Sequence, residues 1–182
     1  AMQKFSFSEE QFRKSIERTL NLLKRIQIEQ KMDEAVKRAE EMRRLQEELA
    51  AQRPENTAKS EEAARDQENL REQYKNMERQ LEQLQKNMEE FPAEMPLSEM
   101  EKLQESMQKA NLDQMLQQIS QSLRQQQMQQ ASDQQQQALQ AMGSMVQDLK
   151  QMQQQMRQNQ QRQIVQEMRR AGRDLLELSQ RQ

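Results

Sequence analysis

The sequence predicts an all-α protein of long antiparallel helices with heptad seams. The expected fold is an up-down-up-down four-helix bundle, with a helical hairpin plus one very long helix as the alternative. Three observations carry this. Leu70, Tyr74, Met77, Leu81, Leu84, Met88 and Phe91 step alternately by four and three, the repeat that keeps one seam in contact as helices supercoil. Only 2 glycines and 3 prolines punctuate 182 residues otherwise rich in strong helix formers. A hydrophobic content of 33%, with 3% aromatics, suffices for thin seams between helices but not for a thick core.

Taken in order, residues 1–8 read as a tag remnant and an N-terminal cap, with Ala1 and Met2 as a cloning scar. Ser8 and Gln11 have the spacing of a capping box, and Phe7 with Phe12 that of a hydrophobic staple, so a helix is expected to start near Glu9. Its apolar face runs Phe12, Ile16, Leu20, Leu23 and Ile26, and continues through Ile28, Met32, Ala35, Ala39, Met42, Leu45 and Leu49. With Leu22 beside Leu23, the first stretch is wide enough to touch more than one neighbour. Pro54 stops the helix, and Asn56 or Thr57 offers the next N-cap. A break this short, at 53–57, predicts an antiparallel hairpin over 9–91, its arms roughly 60 and 50 Å long at 1.5 Å per residue. The second arm carries the Leu70 seam, extends it back to Gln67 and Ala63, and ends at Phe91. Pro92 and Pro96 bracket a connector over 92–97, and Ser98 with Glu101 marks a further capping box.

Residues 98–182 form a Gln/Met-rich helical region without proline. A single helix there would reach roughly 125 Å and leave half its seam bare. A fold at 131–134, with Ser132 or Asp133 as cap, divides the region into a third and a fourth helix; Gly143-Ser144, at 143–144, is the rival break. The last segment has its own register of Ala138, Met142, Met145, Leu149, Met152 and Met156, then Ile164, Met168, Ala171, Leu175 and Leu178. The phase slips between Met156 and Ile164, a stutter that holds Asn159, Gln160 and Gln163.

The residue types point away from catalysis. There is no cysteine and no histidine, so thiolate chemistry and the usual nitrogen and sulfur metal sites have no ligands, and no cofactor or metal is expected. The 15 methionines read as core filling, ahead of soft-metal binding or an adaptable client surface. Glutamine, about a fifth of the chain, keeps the apolar period and reads as solvated helix surface. Adjacent carboxylates such as Glu9-Glu10, Glu61-Glu62 and Glu89-Glu90 point to different helix faces. A net charge of -2 gives no field for nucleic acid, and Arg169, Arg170 and Arg173 stand among Glu167, Asp174 and Glu177 as a salt-bridged surface. No run is apolar enough to insert directly in a membrane. The expected partner is another protein, or a second copy in an oligomer, met through helical seams. The residues assigned to assembly are Ile16, Leu20, Leu23, Leu70, Tyr74, Met77, Leu81, Leu84, Met88, Met142, Leu149 and Met156.

The opening run Phe5-Ser6-Phe7-Ser8-Glu9, then Ser15 to Leu20 and Leu23 to Glu34, resembles a segment of large membrane-anchored bacterial envelope proteins of unknown function. In those proteins, membrane spans precede a long extracytoplasmic helical region of Gln/Met-rich low complexity. The resemblance covers mainly the first helix, with composition extending it. It implies a periplasmic or cell-envelope module cut from a longer protein, and it carries no active-site residues. A cytoplasmic address stays open on the residues alone. The expected function is a non-enzymatic structural or protein-interaction module, with a holdase-like chaperone or adaptor using the Met/Gln-rich surface as the alternative.

Overall fold

The computed structural model describes residues 2–52 and 54–180, and the side chains of 9–52, 54–166, 168 and 169. The described residues form five helical segments and no strand: α1 Met2–Ala51, α2 Thr57–Met88, α3 Leu97–Ala110, α4 Leu112–Arg124 and α5 Met128–Gln180.

α1 begins ahead of the expected start near Glu9. No glycine or proline precedes Ser8 to stop the helix, and Glu9–Arg13 and Glu10–Lys14 pair one turn apart, at 3.0 and 2.7 Å, along its exposed side. The side chains of Phe7 and Ser8 lie outside the described residues, and the staple and capping box with them. Pro54 follows the end of α1, and Asn56 caps α2, its side chain accepting the Lys59 N–H at 2.9 Å.

α2 ends at Met88, three residues before the expected Phe91. The chain turns at once, with the Phe91 N–H on the Met88 carbonyl at 2.9 Å and the Met95 N–H on the Phe91 carbonyl at 3.1 Å. Phe91 and Met95 still tuck their side chains under the core. α3 starts at Leu97 with Pro96 in the cap position and no side-chain cap. The expected capping box is not made, because the Ser98 hydroxyl donates to Glu99 instead, at 2.7 Å.

The third helix is split by one residue. Asn111 is left-handed (φ 46°, ψ 47°), a conformation its short polar side chain tolerates, and its N–H bonds the Met107 and Gln108 carbonyls at 3.1 and 3.2 Å. The next turn corrects the expected break at 131–134 or 143–144: it lies at Gln125–Gln127. There the Gln127 N–H bonds the Ser122 carbonyl at 2.9 Å and the Gln126 N–H bonds the Leu123 carbonyl at 3.0 Å, the Schellman arrangement closed by a left-handed residue. That residue is Gln126, at φ 59°. Ala131 and Gly143 both lie inside α5, Ala131 fully buried. Because a left-handed turn without glycine costs about 1 kcal/mol, Gln126→Gly is expected to raise stability by about 0.5–1 kcal/mol. A higher thermal midpoint checks it, and a lower one would locate the turn's stability in the Gln126 side chain, which donates to the Thr57 hydroxyl at 2.7 Å.

α1 packs on α2 and α5, α4 packs on the same two helices, and α3 lies mainly on α5. Between α1 and α2 with the connector that follows it, the contacts step from Lys24–Glu90 through Arg38–Gln80 to Gln46–Gln67. Between α1 and α5 they step from Asp33–Gln153 through Glu40–Lys150 to Leu49–Gln135. In both pairs one number rises as the other falls. The core runs down the middle from Ile28, Met88, Met100 and Met156 at one end to Ala64, Leu123 and Ala131 at the other.

α1 and α5 outrun their neighbours. The connector after α2 reaches α1 through Lys24–Glu90 at 2.5 Å and Arg25–Glu94 at 2.7 Å, and Arg25 lies over the Phe91 ring at 5.1 Å. It reaches α5 where the Asn159 amide donates to the Glu94 carbonyl at 3.1 Å. Past that level only α1 and α5 continue. The apolar face of α1 also changes sides there. Ile26 and Ile28 are two residues apart, which is about 200° of rotation on a helix. Ile28, Met32, Ala35, Ala39 and Met42 turn inward and are buried, whereas Phe12, Ile16, Leu20, Leu23 and Ile26 turn outward. The face expected to run unbroken is two faces on opposite sides.

Candidate interaction surface

Of the residues assigned to assembly, two groups lie in the core. Leu70, Tyr74, Met77, Leu81, Leu84 and Met88 form the inner stripe of α2, and Met142, Leu149 and Met156 that of α5, all nearly inaccessible. A third inner stripe escaped the sequence reading: Met100, Leu103 and Met107 on α3, then Leu112, Leu116, Ile119 and Leu123 on α4. The four-three spacing is present in each piece. The five-residue step from Met107 to Leu112, across Asn111, hides its continuity.

Ile16, Leu20 and Leu23 correct the third group. They are not in a seam within the chain but 53%, 51% and 52% exposed, and Leu22, which turns to another side of α1, lines the groove toward α5. α5 behaves alike. Carrying its buried period past Met156 arrives at Asn159, Gln160 and Gln163, and the eight-residue interval to Ile164 swings Ile164, Val165 and Met168 out to solvent. Ala171, Leu175, Leu178, Arg170 and Arg173 lie outside the described side chains. Between the two projecting helices runs a groove of about 480 Å³. Its walls are mixed: Arg18, Asn21 and Arg25 face Asn159, Gln160 and Gln163, and Leu22, Ile26 and Ile164 line it beside them, with Met95 and Met156 toward the core.

Polar groups inside the packed section are few and local. The Gln67 side chain donates to that of Gln46 at 2.6 Å in full burial, leaving Gln46 Nε2 and Gln67 Oε1 without hydrogen-bond partners among the described residues. The Ser120 hydroxyl donates to the Ala64 carbonyl at 3.2 Å. Arg71 grips Asp113 through Nε at 2.7 Å and Nη2 at 3.1 Å, and reaches Glu68 at 2.9 Å, tying α2 to α4. The bond from Arg71 holds the Asp113 carboxyl below the usual carboxylate range, and the same bond holds the guanidinium above its own. Burial pushes Glu78 and Glu29 upward, and pushes the Tyr74 phenol up with help from the Glu78 charge. Arg71, Tyr74 and Glu78 stand one turn apart on α2 with Asp113 of α4 beside them, so four of these shifted groups gather at one α2–α4 contact, and Glu29 lies apart from them, near Asp33 and Arg157.

Among the described residues, no three histidine, cysteine, aspartate or glutamate side chains stand close enough to hold a metal ion. Eleven methionines, Met32 and Met156 among them, are buried in the core. No described helix is long and apolar enough to cross a membrane. The largest unsatisfied chemistry is the outward apolar stripe of α1. No family model, curated protein or solved structure matches the chain.

Proposed function

We propose that the chain is an up-down-up-down four-helix bundle, with α3 and α4 together as its third helix, and that it acts as a non-enzymatic structural or protein-interaction module. Its setting, on the resemblance of α1, is a larger bacterial envelope protein. The observation that carries this reading is the continuous apolar interior from Ile28 to Ala131, bounded by charged faces with ion pairs between helices such as Arg71–Asp113 and Lys150–Glu40. A rigid body of this kind presents surfaces and spacing, and its partners are proteins met through helix faces.

A second reading, a holdase-like chaperone or adaptor, draws on the half-exposed side chains from Phe12 to Ile26. The two are separated by heating a client enzyme to aggregation in the presence of an equimolar amount of this protein. No change in client light scattering, together with a single cooperative loss of helicity for the protein itself, is the expected result. Suppressed aggregation would transfer the function to the second reading.

A further inference from the structure

We infer that the outward stripe of α1 is the contact through which two copies of this chain pair, their α1 projections side by side and antiparallel. The inference rests on the reading of the chain as an interaction module and names its partner. Phe12, Ile16, Thr19 and Leu23 are spaced four, three and four, the seam of a coiled coil, and they are exposed and lie off the groove between α1 and α5, which Ile26 lines. Thr19 fits such a seam because its hydroxyl is spent on the Ser15 carbonyl, at 3.0 Å, which leaves its methyl group for packing. Leu20 flanks the seam and widens it, and Leu22, two residues on, turns toward the groove. Phe12, Ile16, Leu20 and Leu23, exposed by 51% to 66%, offer on the order of 400 Å² per copy, and the roughly 800 Å² of two copies is the size of a weak, concentration-dependent pair.

Charge selects both the occupant and its direction. Glu9, Glu10 and Glu17 balance Arg13, Lys14 and Arg18 beside the stripe, and Lys24 and Arg25 are paired with Glu90 and Glu94, whereas a helix built to lie on an anionic bilayer carries a basic flank. Toward the C-terminal end of α1 the same outward face becomes Gln30, Glu34, Lys37, Glu41, Arg44 and Glu48, all exposed. A parallel pair would set each of those charges against its own copy. The antiparallel pair leaves them in solvent and places Phe12 of each copy against Leu23 of the other, with Ile16 against Thr19.

The test is the molar mass of the protein by light scattering across a concentration series, alongside the double variant Ile16→Glu/Leu23→Glu. The expected result is a rise from one chain toward two, with an X-ray scattering length near 100 Å for the pair against about 75 Å for the single chain. The variant is expected to keep the helicity and thermal midpoint of the parent, since both side chains are half exposed, and to weaken association by at least about tenfold. A mass of one chain at every concentration overturns the inference, as does a variant that pairs like the parent or a pair only about 75 Å long. So does binding of the single chain to anionic vesicles that the variant abolishes, which would give the stripe to a membrane surface. A single chain that leaves client aggregation unchanged overturns the self-pairing alone, and one that suppresses it overturns the module reading too.

Discussion

Leu81→Glu is expected to cost about 4 kcal/mol or more, because it places a carboxylate with no cation in reach at the middle of α2's inner stripe. Leu81 is 1% exposed, with Met77 and Leu84 on the same face of α2, and both are equally buried. A domain of this size is stable by about 5–15 kcal/mol, so the substitution takes a large fraction of the total. The measurement is chemical denaturation followed by circular dichroism, with the parent and Leu20→Glu run in parallel. Leu20 is half exposed on the opposite side of α1, and its substitution is expected to shift the midpoint little. An unchanged midpoint for Leu81→Glu would contradict the burial of the seam.

Gln46 and Gln67 give the second large effect, and it is one of coupling. Replacing Gln67 alone by leucine leaves the Gln46 amide buried with no partner, at a cost of about 1–3 kcal/mol. Replacing both by leucine removes the desolvated amides together and is expected to be neutral or stabilising. The double-mutant cycle should therefore show a strongly non-additive pair, with the double variant more stable than either single one. Simple addition of the two single costs would mean that the amides are solvated and that the pair does not fix the register of α1 on α2.

What could be read in advance follows from where the signals are local. The α2 stripe and the break around Pro54 were legible because a strict four-three spacing and a missing N–H act within a few residues. The turn at Gln125–Gln127 was not. It is closed by backbone hydrogen bonds to Ser122 and Leu123 and by a left-handed glutamine, and glutamine in a Gln-rich run carries no turn signature. Asn111 is a milder case, since asparagine is a known left-handed residue but stands here inside an otherwise helical run. The switch of face on α1 was hidden by continuity of composition. Ile26 and Ile28 both extend a run of apolar residues, and only the two-residue step between them places the stripes on opposite sides. That step also decides the place of Ile16, Leu20 and Leu23, residues assigned to assembly that lie on the surface of the chain.

The shared overhang of α1 and α5 has a mechanical meaning. The first turns of α1 and the last turns of α5 lie at the same end of the molecule, facing across a groove where Arg18, Asn21, Gln160 and Gln163 alternate with Leu22, Ile26 and Ile164. A load drawn through those two strands would peel them apart one turn at a time, as a zipper opens, and would not shear them along their length. Peeling begins in the open groove and stiffens abruptly at Lys24–Glu90, Arg25–Glu94 and Asn159, where the connector clamps both helices and the packed interior starts. The molecule is thus a compliant fork mounted on a stiff body, with the boundary between the two set by one eight-residue connector.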